Sequence, residues 1–251
     1  TYSPPVFVNM NQLVFPNGIP EGLKNSSLDW GDFDKDGDLD LLIAGESTSA
    51  AFGTYLYENL DGRTLQLNTT LSNKLTDIRS GTVKWVDLDE DTWLDIGLSG
   101  LGASGPISRI FTNETGGDFT ENSIPLIPNL SNTQMDFGDY DNDGDLDIMI
   151  SGNNGSADEI SVIRNDGVDG YSSPIPAVVV PANDNAQVRW VDVNNDGFLD
   201  IISGGDGGFQ LLLNTGNATF GSPTSLASIP ILTQTSFDCA DVDRDGNTDL
   251  L

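Results

Sequence analysis

The sequence contains no histidine and only one cysteine, Cys239. A disulfide needs two cysteines, and protein zinc sites are built mainly from cysteine and histidine, so neither feature is expected. The neighbours of Cys239 predict a structural thiol on a buried strand rather than a reactive one. The lack of histidine also removes the commonest general base from any catalytic hypothesis.

Basic residues are scarce as well. Lysine and arginine total 10 against 39 aspartates and glutamates, which gives a formal net charge of −29. The basic residues are scattered and form no stripe, so we do not expect nucleic acid as a partner. The same charge disfavours anionic membrane surfaces, and no apolar run is long enough for membrane insertion.

What the sequence has instead is an acidic nine-residue segment, seen in its complete form at Asp139–Asp147. Oxygen-bearing side chains stand at positions 1, 3, 5 and 9, and Gly144 stands at position 6. Carboxylates crowded in this way repel one another unless a cation lies among them, and the glycine permits the sharp turn that directs them inward. So many hard oxygen ligands favour Ca²⁺ over zinc, and Mg²⁺ resists losing its waters to an all-protein cage.

This segment occurs five times, starting at residues 32, 87, 139, 192 and 241, and we name the copies loops 1 to 5. Five bound Ca²⁺ ions would change the formal charge from −29 to about −19, so much of the acidity is explained by metal sites. Position 7 is expected to contribute only its carbonyl oxygen. We predict that the ions are held by Asp32, Asp34, Asp36, Asp38, Asp40, Asp87, Asp89, Asp91, Trp93, Asp95, Asp139, Asp141, Asp143, Asp145, Asp147, Asp192, Asn194, Asp196, Phe198, Asp200, Asp241, Asp243, Asp245, Asn247 and Asp249.

Two loops depart from the pattern. Thr92 stands where the other loops have glycine, and Asn194 replaces a carboxylate, so the sites at 87–95 and 192–200 are expected to be weaker. An EF-hand shares the D-x-D-x-D-G string but needs an acidic residue at position 12 and a helix on each side. The EF-hand interpretation fails because the flanks are strand-like and position 12 is Ile43, Leu98, Ile150 or Ser203.

A second marker is an asparagine that follows a short apolar strand and precedes a large apolar residue by six positions. The pairs are Asn9 and Phe15, Asn59 and Leu65, Asn113 and Phe119, Asn165 and Tyr171, and Asn214 and Phe220. This spacing predicts a hairpin, so each period holds four strands, which we name A to D. In the third repeat, strand A covers 133–137, B covers 146–151, C covers 160–164, and D begins near Tyr171.

Four short strands in roughly 50 residues are typical of one β-propeller blade. The B strands are apolar on consecutive residues, as at 39–44, which indicates burial of both faces. We therefore predict an all-β fold, a single β-propeller domain over 1–251 with four-stranded blades and five repeats. The predicted units are 1–18 (a C–D hairpin completing the last blade), 19–71, 72–123, 124–178, 179–228 and 229–251 (an A–B pair).

The chain ends allow two interpretations. The opening C–D hairpin and the closing A–B pair could together complete a fifth blade and remove the open sheet edges. The last B strand, however, stops at Leu251, whereas the other four run on to a glycine. This difference favours a piece of a longer chain, and five blades would then be a lower bound for a larger propeller.

Trp30–Leu42 resembles the FG-GAP/VCBS repeats of integrin α-type β-propellers, in particular the bacterial secreted type. The hairpin at 165–171 fits the same repeat, whereas Thr92 departs from it. The resemblance implies structural Ca²⁺ in each A–B loop and an adhesion or recognition module. Extracellular Ca²⁺ levels would fill such sites, so we expect a secreted or cell-surface location.

Three functions remain open. The first is recognition of an extracellular protein or glycan, expected on the face formed by the B–C and D–A loops. The second is a non-catalytic or catalytic part of a secreted polysaccharide-active enzyme. Catalysis of the polysaccharide lyase type, which we do not expect, needs a tuned base and a cation. Its only candidate cluster is Lys74 and Arg79 with Tyr55 or Tyr57. The third is a passive spacer in a large surface protein.

Three tryptophans stand two residues before an acidic loop. Trp30, Trp85 and Trp190 recur at this place on strand A, which predicts packing between blades. Trp93 lies within loop 2 instead and is expected to be more exposed.

Overall fold

The structure, a computed structural model, describes residues 14–16, 22–172, 178–180, 187–205, 207–216, 218–229 and 236–250. Within these ranges nearly all regular structure is antiparallel β-strand. The exceptions are a one-turn helix, α1 (Thr69–Ser72), and a 3₁₀ turn at Gly167–Asp169. None of the described helices has the length and apolarity needed to span a bilayer.

Four four-stranded units follow one another along the chain. They are β1 (Lys24–Gly31), β2 (Asp40–Glu46), β3 (Phe52–Asn59) and β4 (Leu65–Leu67); β5 (Arg79–Val86), β6 (Asp95–Gly102), β7 (Gly105–Thr112) and β8 (Thr120–Asn122); β9 (Ser131–Gly138), β10 (Asp147–Asn153), β11 (Asp158–Asn165) and β12 (Tyr171–Ser172); and β14 (Gln187–Val191), β15 (Asp200–Gly205), β16 (Gly208–Leu212) and β17 (Thr224–Ser225). We call these units blades 1 to 4. A two-stranded sheet of β18 (Cys239–Ala240) and β19 (Asp249–Leu250) follows, and β13 (Val178–Val180) pairs with β11.

The strands of each blade are hydrogen-bonded in sequence order and are antiparallel. The predicted all-β propeller of four-stranded blades is confirmed, and in the third repeat all four strands lie where they were predicted. Because successive strands reverse direction, the A–B loops and C–D hairpins lie at one end of every blade. The B strands are covered on both faces, since five of the seven residues of β2 are buried.

The core lies between neighbouring blades rather than within one sheet. The ring of Trp85 stacks on Phe33 of the preceding blade at 5.7 Å, and Trp190 stacks on Tyr140 at 5.7 Å. The prediction of packing between blades is therefore confirmed for these two tryptophans. Trp30 stands on blade 1 and is 39% exposed, so the prediction is wrong for it within the described residues, which place no blade before it.

Most of the predicted N-terminal hairpin at 1–18, including Asn9, lies outside the described residues. Its described part places Val14 in a parallel bridge with Thr64, beside the edge of blade 1. The Val14 amide donates to the Arg63 carbonyl at 2.8 Å, and Phe15 packs edge-on against Tyr57. At the other end β18 and β19 form the expected A–B pair, and the total number of blades stays a prediction.

Candidate metal centres

All five acidic loops have the same backbone turn, with left-handed residues at positions 4 and 6. At position 6 the φ angle is +96° for Gly37, +103° for Gly144 and +78° for Thr92. Glycine adopts this region freely, whereas a β-branched side chain is strained there. The recurring glycine is thus explained by the turn, and loop 2 keeps the same turn despite its threonine.

The turn directs the early carboxylates inward by hydrogen bonds to the backbone. The position 1 carboxylate accepts the position 6 amide, as Asp32 does from Gly37 at 3.1 Å and Asp87 from Thr92 at 3.0 Å. Positions 3 and 5 accept amides two residues onward, as Asp36 does from Asp38 at 2.9 Å. These bonds hold three acidic side chains together even though like charges repel.

Several carboxylate oxygens in the loops are left without a partner. Oδ1 of Asp32, Asp87 and Asp141 is buried and accepts no hydrogen bond within the described residues. A buried unpaired carboxylate oxygen is unfavourable, and a hard cation is a partner of the right chemistry. Loops 1, 2, 3 and 5 each bring three carboxylate oxygens within 4.8 Å of one another, in the sets Asp32, Asp34 and Asp36; Asp87, Asp89 and Asp91; Asp139, Asp141 and Asp147; and Asp241, Asp243 and Asp249.

The position 9 aspartate closes each loop from below. Asp147 is fully buried and accepts the Tyr140 amide at 3.0 Å and the Asn165 amide at 2.8 Å. Burial raises the pKa of Asp147 to about 7, against the lowering effect of these two bonds, and nearby loop carboxylates raise it further. The pKa values of Asp40 and Asp95 are raised to about 7 for the same reasons, and that of Asp200 is also raised.

The asparagine marker does more than form a hairpin. The side-chain amide of Asn113 donates to Leu94 of its own blade at 3.1 Å and to the Phe33 carbonyl of loop 1 at 3.0 Å. Asn165 reaches the Leu88 carbonyl of loop 2, and Asn214 reaches the Tyr140 carbonyl of loop 3 at 2.8 Å. Each amide therefore connects its own acidic loop to the loop of the preceding blade, a role that sequence reasoning missed.

Position 7 also has a side-chain role beyond its expected carbonyl. Its side chain lies against a hairpin glycine that has a positive φ, as Trp93 does at Gly116 and Asp145 at Gly167. A Cβ added at Gly116 would approach the Trp93 ring to 2.3 Å, so the glycine is needed for this close contact. The signal in the sequence is the glycine that recurs two or three residues after the marker asparagine.

Neighbouring loops are linked through position 4. The side-chain amide of Asn142 donates to the Gly197 carbonyl at 2.9 Å, and that of Asn195 donates to Gly246 at 2.7 Å. Lys35 donates to Thr92 and lies 3.7 Å from the centre of the Trp93 ring. Trp93 is consequently half-buried, more exposed than Trp85 and less exposed than Trp30.

The candidate lyase cluster is divided among separate partners. Lys74 forms an ion pair with Asp118, and the Arg79 guanidinium lies 4.7 Å from the Phe52 ring. Tyr57 is buried beside Leu41 and Leu65. Cys239, predicted on a buried strand, lies on β18 and is half-buried, and burial raises the pKa of its thiol.

The fold and these loops together define a class of repeat protein, a β-propeller whose blades each carry an acidic A–B loop. The chain belongs to the FG-GAP-like repeat family, whose model matches residues 32–98, 139–203 and 192–251. The resemblance seen in the sequence is thereby confirmed. A search of curated proteins finds no match.

One similar solved structure is an Agrocybe aegerita lectin, described as showing specific recognition of non-reducing terminal N-acetylglucosamine. The TM-score is 0.60 and the identity is 19%, over 90% of this chain and 60% of that one. At this identity the similarity shows the fold alone. The chain spans 60% of the length of that lectin.

Proposed function

We propose that this propeller is an extracellular carbohydrate-recognition module whose acidic loops bind structural Ca²⁺. The observation that carries the metal proposal is the fully buried aspartate at position 9 of loops 1 to 4, beneath a crowded set of carboxylates. The side chains of positions 1, 3, 5 and 9 would hold the ion with the position 7 carbonyl. When bound, Ca²⁺ supplies the positive charge that these carboxylates lack.

A structural role for the ion is favoured over a catalytic one. Protein oxygens occupy the ligand positions, so little of the ion would remain open to a substrate. In loop 3 the position 9 aspartate also connects the start of the acidic loop to the end of strand C, because it accepts hydrogen bonds from the backbone N–H groups of Tyr140 and Asn165. Stabilising its charge would therefore stabilise both connections. We therefore propose a non-catalytic protein, and the separate pairing of Lys74 and Arg79 supports this view.

The carbohydrate proposal is supported by the fold similarity to a lectin and by a cavity between blades 2 and 3. Its volume of about 560 Å³ lies within the usual range for small-molecule sites. Amides, carboxylates and one aromatic ring line it, and these groups suit a hydroxyl-rich ligand. The lining residues are Leu88, Asp89, Asn122, Asp145, Asn165, Asp166, Gly167, Val168 and Tyr171.

This cavity lies on the face of the acidic loops, whereas the sequence pattern favours recognition on the opposite face. A cavity also opens on that opposite face, between the starts of the A strands near Asn25, Ser80 and Asn132, but its volume is only about 170 Å³. We therefore propose the larger cavity, between blades 2 and 3, as the sugar-binding site. Because Asp89 and Asp145 belong to loops 2 and 3, sugar binding there would depend on calcium.

Binding to a glycan array in calcium, with terminal N-acetylglucosamine as the first probe, tests this proposal. We expect the Tyr171→Ala substitution to weaken binding at least tenfold, because it removes the only aromatic ring among the described residues that line the cavity. Asn154→Ala, on an exposed B–C loop of the same blade, is the matched control and should bind like the parent. Loss of binding in Asn154→Ala alone would place recognition on the opposite face, and an array without any bound glycan would contradict the carbohydrate proposal.

A further inference from the structure

The blades differ at the residue just before the marker asparagine. This position holds Glu58, Thr112, Arg164 and Leu213 in blades 1 to 4. It lies within one residue of the end of strand C, beside the acidic loop of the same blade, so its charge acts directly on that loop. Only blade 3 places a cation there.

Arg164 lies against loop 3 itself. Its Nε lies 2.9 Å from Asp141 Oδ2, and its Nη2 lies 3.0 Å from Asp143 Oδ2. Asp141 and Asp143 are positions 3 and 5, which are predicted metal ligands. A third contact, 2.7 Å from Nε to Asp166 Oδ1, fixes the guanidinium from the hairpin side.

This arrangement differs from an ordinary surface ion pair. The Asp141 side chain is only 6% exposed and that of Arg164 is 32% exposed, so solvent screens their attraction less than it would on an open surface. One guanidinium contacts three carboxylates, and a guanidinium is more weakly hydrated than an ammonium group. Arg164 thus neutralises part of the charge that a divalent ion would otherwise neutralise.

Blade 1 shows the opposite case. Glu58 is the counterpart of Arg164 there, and its carboxylate accepts a hydrogen bond from the Asn68 side-chain amide at 3.2 Å. Glu58 therefore adds negative potential to loop 1 at the position where Arg164 adds positive potential to loop 3. The two loops share the same ligand pattern, D-x-D-x-D-G-D-L-D. They therefore differ in the charge of this neighbouring residue and not in their ligands.

We propose that Arg164 serves as a built-in cation of loop 3 and competes with Ca²⁺ for Asp141 and Asp143. Loop 3 then binds calcium more weakly than loop 1, although its sequence is complete. This inference rests on the proposed calcium binding of the loops. It further implies that blade 3 loses least stability when calcium is removed.

Calorimetric titration of metal-stripped protein with CaCl₂ tests the competition. In Arg164→Gln, we expect one additional ion or a tightening of one site by at least tenfold. Arg109→Gln is the matched control, because Arg109 pairs with Glu121 at 2.8 Å and, within the described ranges, forms no ion pair with an acidic loop. Adding Asp141→Asn to Arg164→Gln should abolish the gain, which assigns it to loop 3.

The reverse exchange provides an independent arm. Glu58→Arg should weaken calcium binding at the loop 1 site at least tenfold. The circular dichroism spectrum of this variant would show that it is folded. In chelator, Arg164→Gln should melt below Arg109→Gln, because Asp141 and Asp143 lose the one cation that pairs with them among the described residues.

The outcomes separate the two proposals. If the parent binds calcium but Arg164→Gln and Glu58→Arg leave every affinity unchanged, the competition is refuted while calcium binding stands. If neither the parent nor any variant binds calcium, both proposals are refuted. If Arg164→Gln binds one calcium ion more than the parent does, both proposals are supported.

Discussion

Thr92 is the residue at which the sequence conflicts most clearly with the local backbone. Its φ of +78° lies in the left-handed region, where glycine stands in the other four loops. Its hydroxyl accepts a hydrogen bond from Lys35 at the exposed surface, and such a contact contributes little to stability. Relief of backbone strain should therefore outweigh the loss of this bond.

We expect Thr92→Gly to raise the free energy of unfolding by about 1 kcal/mol, which is about 2–4 °C in melting temperature. Thermal denaturation monitored by circular dichroism measures the change. The reciprocal control is Gly37→Thr at the same position of loop 1, where φ is +96°, and it should lower the melting temperature. A destabilised Thr92→Gly variant, or a Gly37→Thr variant that melts like the parent, would be inconsistent with this explanation.

The marker asparagine has unequal surroundings in different blades. Asn113 is buried, and its side chain makes three hydrogen bonds, to Leu94, to Phe33 and from the Gly116 amide. In blade 1, within the part of the chain that the structure describes, Asn59 donates only to the Leu39 carbonyl, and its Oδ1 is buried without a partner. The same substitution should therefore have different effects at the two positions.

We predict that Asn113→Ala lowers the free energy of unfolding by about 2–4 kcal/mol, because it leaves the Phe33 and Leu94 carbonyls unpaired. Asn59→Ala should cost about half as much or less. Urea denaturation of both variants provides the comparison. Equal losses would show that the connection to the preceding loop contributes nothing.

The stability of the acidic loops depends on pH because their position 9 aspartates are buried away from water. In metal-free protein the pKa values of Asp40, Asp95 and Asp147 are raised to about 7, mainly by burial. A carboxyl group whose folded pKa exceeds its unfolded value contributes stability below the unfolded pKa, and this stability is lost as pH rises through the folded pKa.

Chelated protein should therefore melt at a lower temperature at pH 8 than at pH 5.5. Calcium binds the ionised form, so it should raise the melting temperature more at pH 8 than at pH 5.5. Scanning calorimetry with and without chelator at both values measures both effects. A metal-free protein that became more stable from pH 5.5 to pH 8 would contradict the assigned burial.

Local sequence patterns predicted the elements well because strand period and turn chemistry are local properties. The four strands of the third repeat and the five acidic loops were found in this way. The partners of Asn113 and Arg164 were not, since Phe33 lies 80 residues from Asn113 and the approach of Arg164 to loop 3 depends on hairpin geometry. Trp30 was misjudged because no blade precedes it in the described residues to cover its ring, and a pattern within one repeat cannot reveal this.

At the scale of the whole molecule, stability depends on contacts between successive blades. The hydrophobic clusters span neighbouring blades, and so do the marker asparagines and the position 4 side chains. Such an arrangement couples each acidic loop to the next. Neutralising one loop should therefore stabilise more than its own blade.

The melting temperature of metal-stripped protein, compared with and without Ca²⁺ at pH 8, tests the central claim most directly. Each site filled to 100 times its Kd adds roughly 2.7 kcal/mol, so several sites together are comparable to the whole stability of a domain. We predict that saturating calcium raises the melting temperature by more than about 10 °C, at about 2–4 °C per kcal/mol. Equal concentrations of Mg²⁺ should do much less. A calcium-induced shift below about 2 °C would contradict the account.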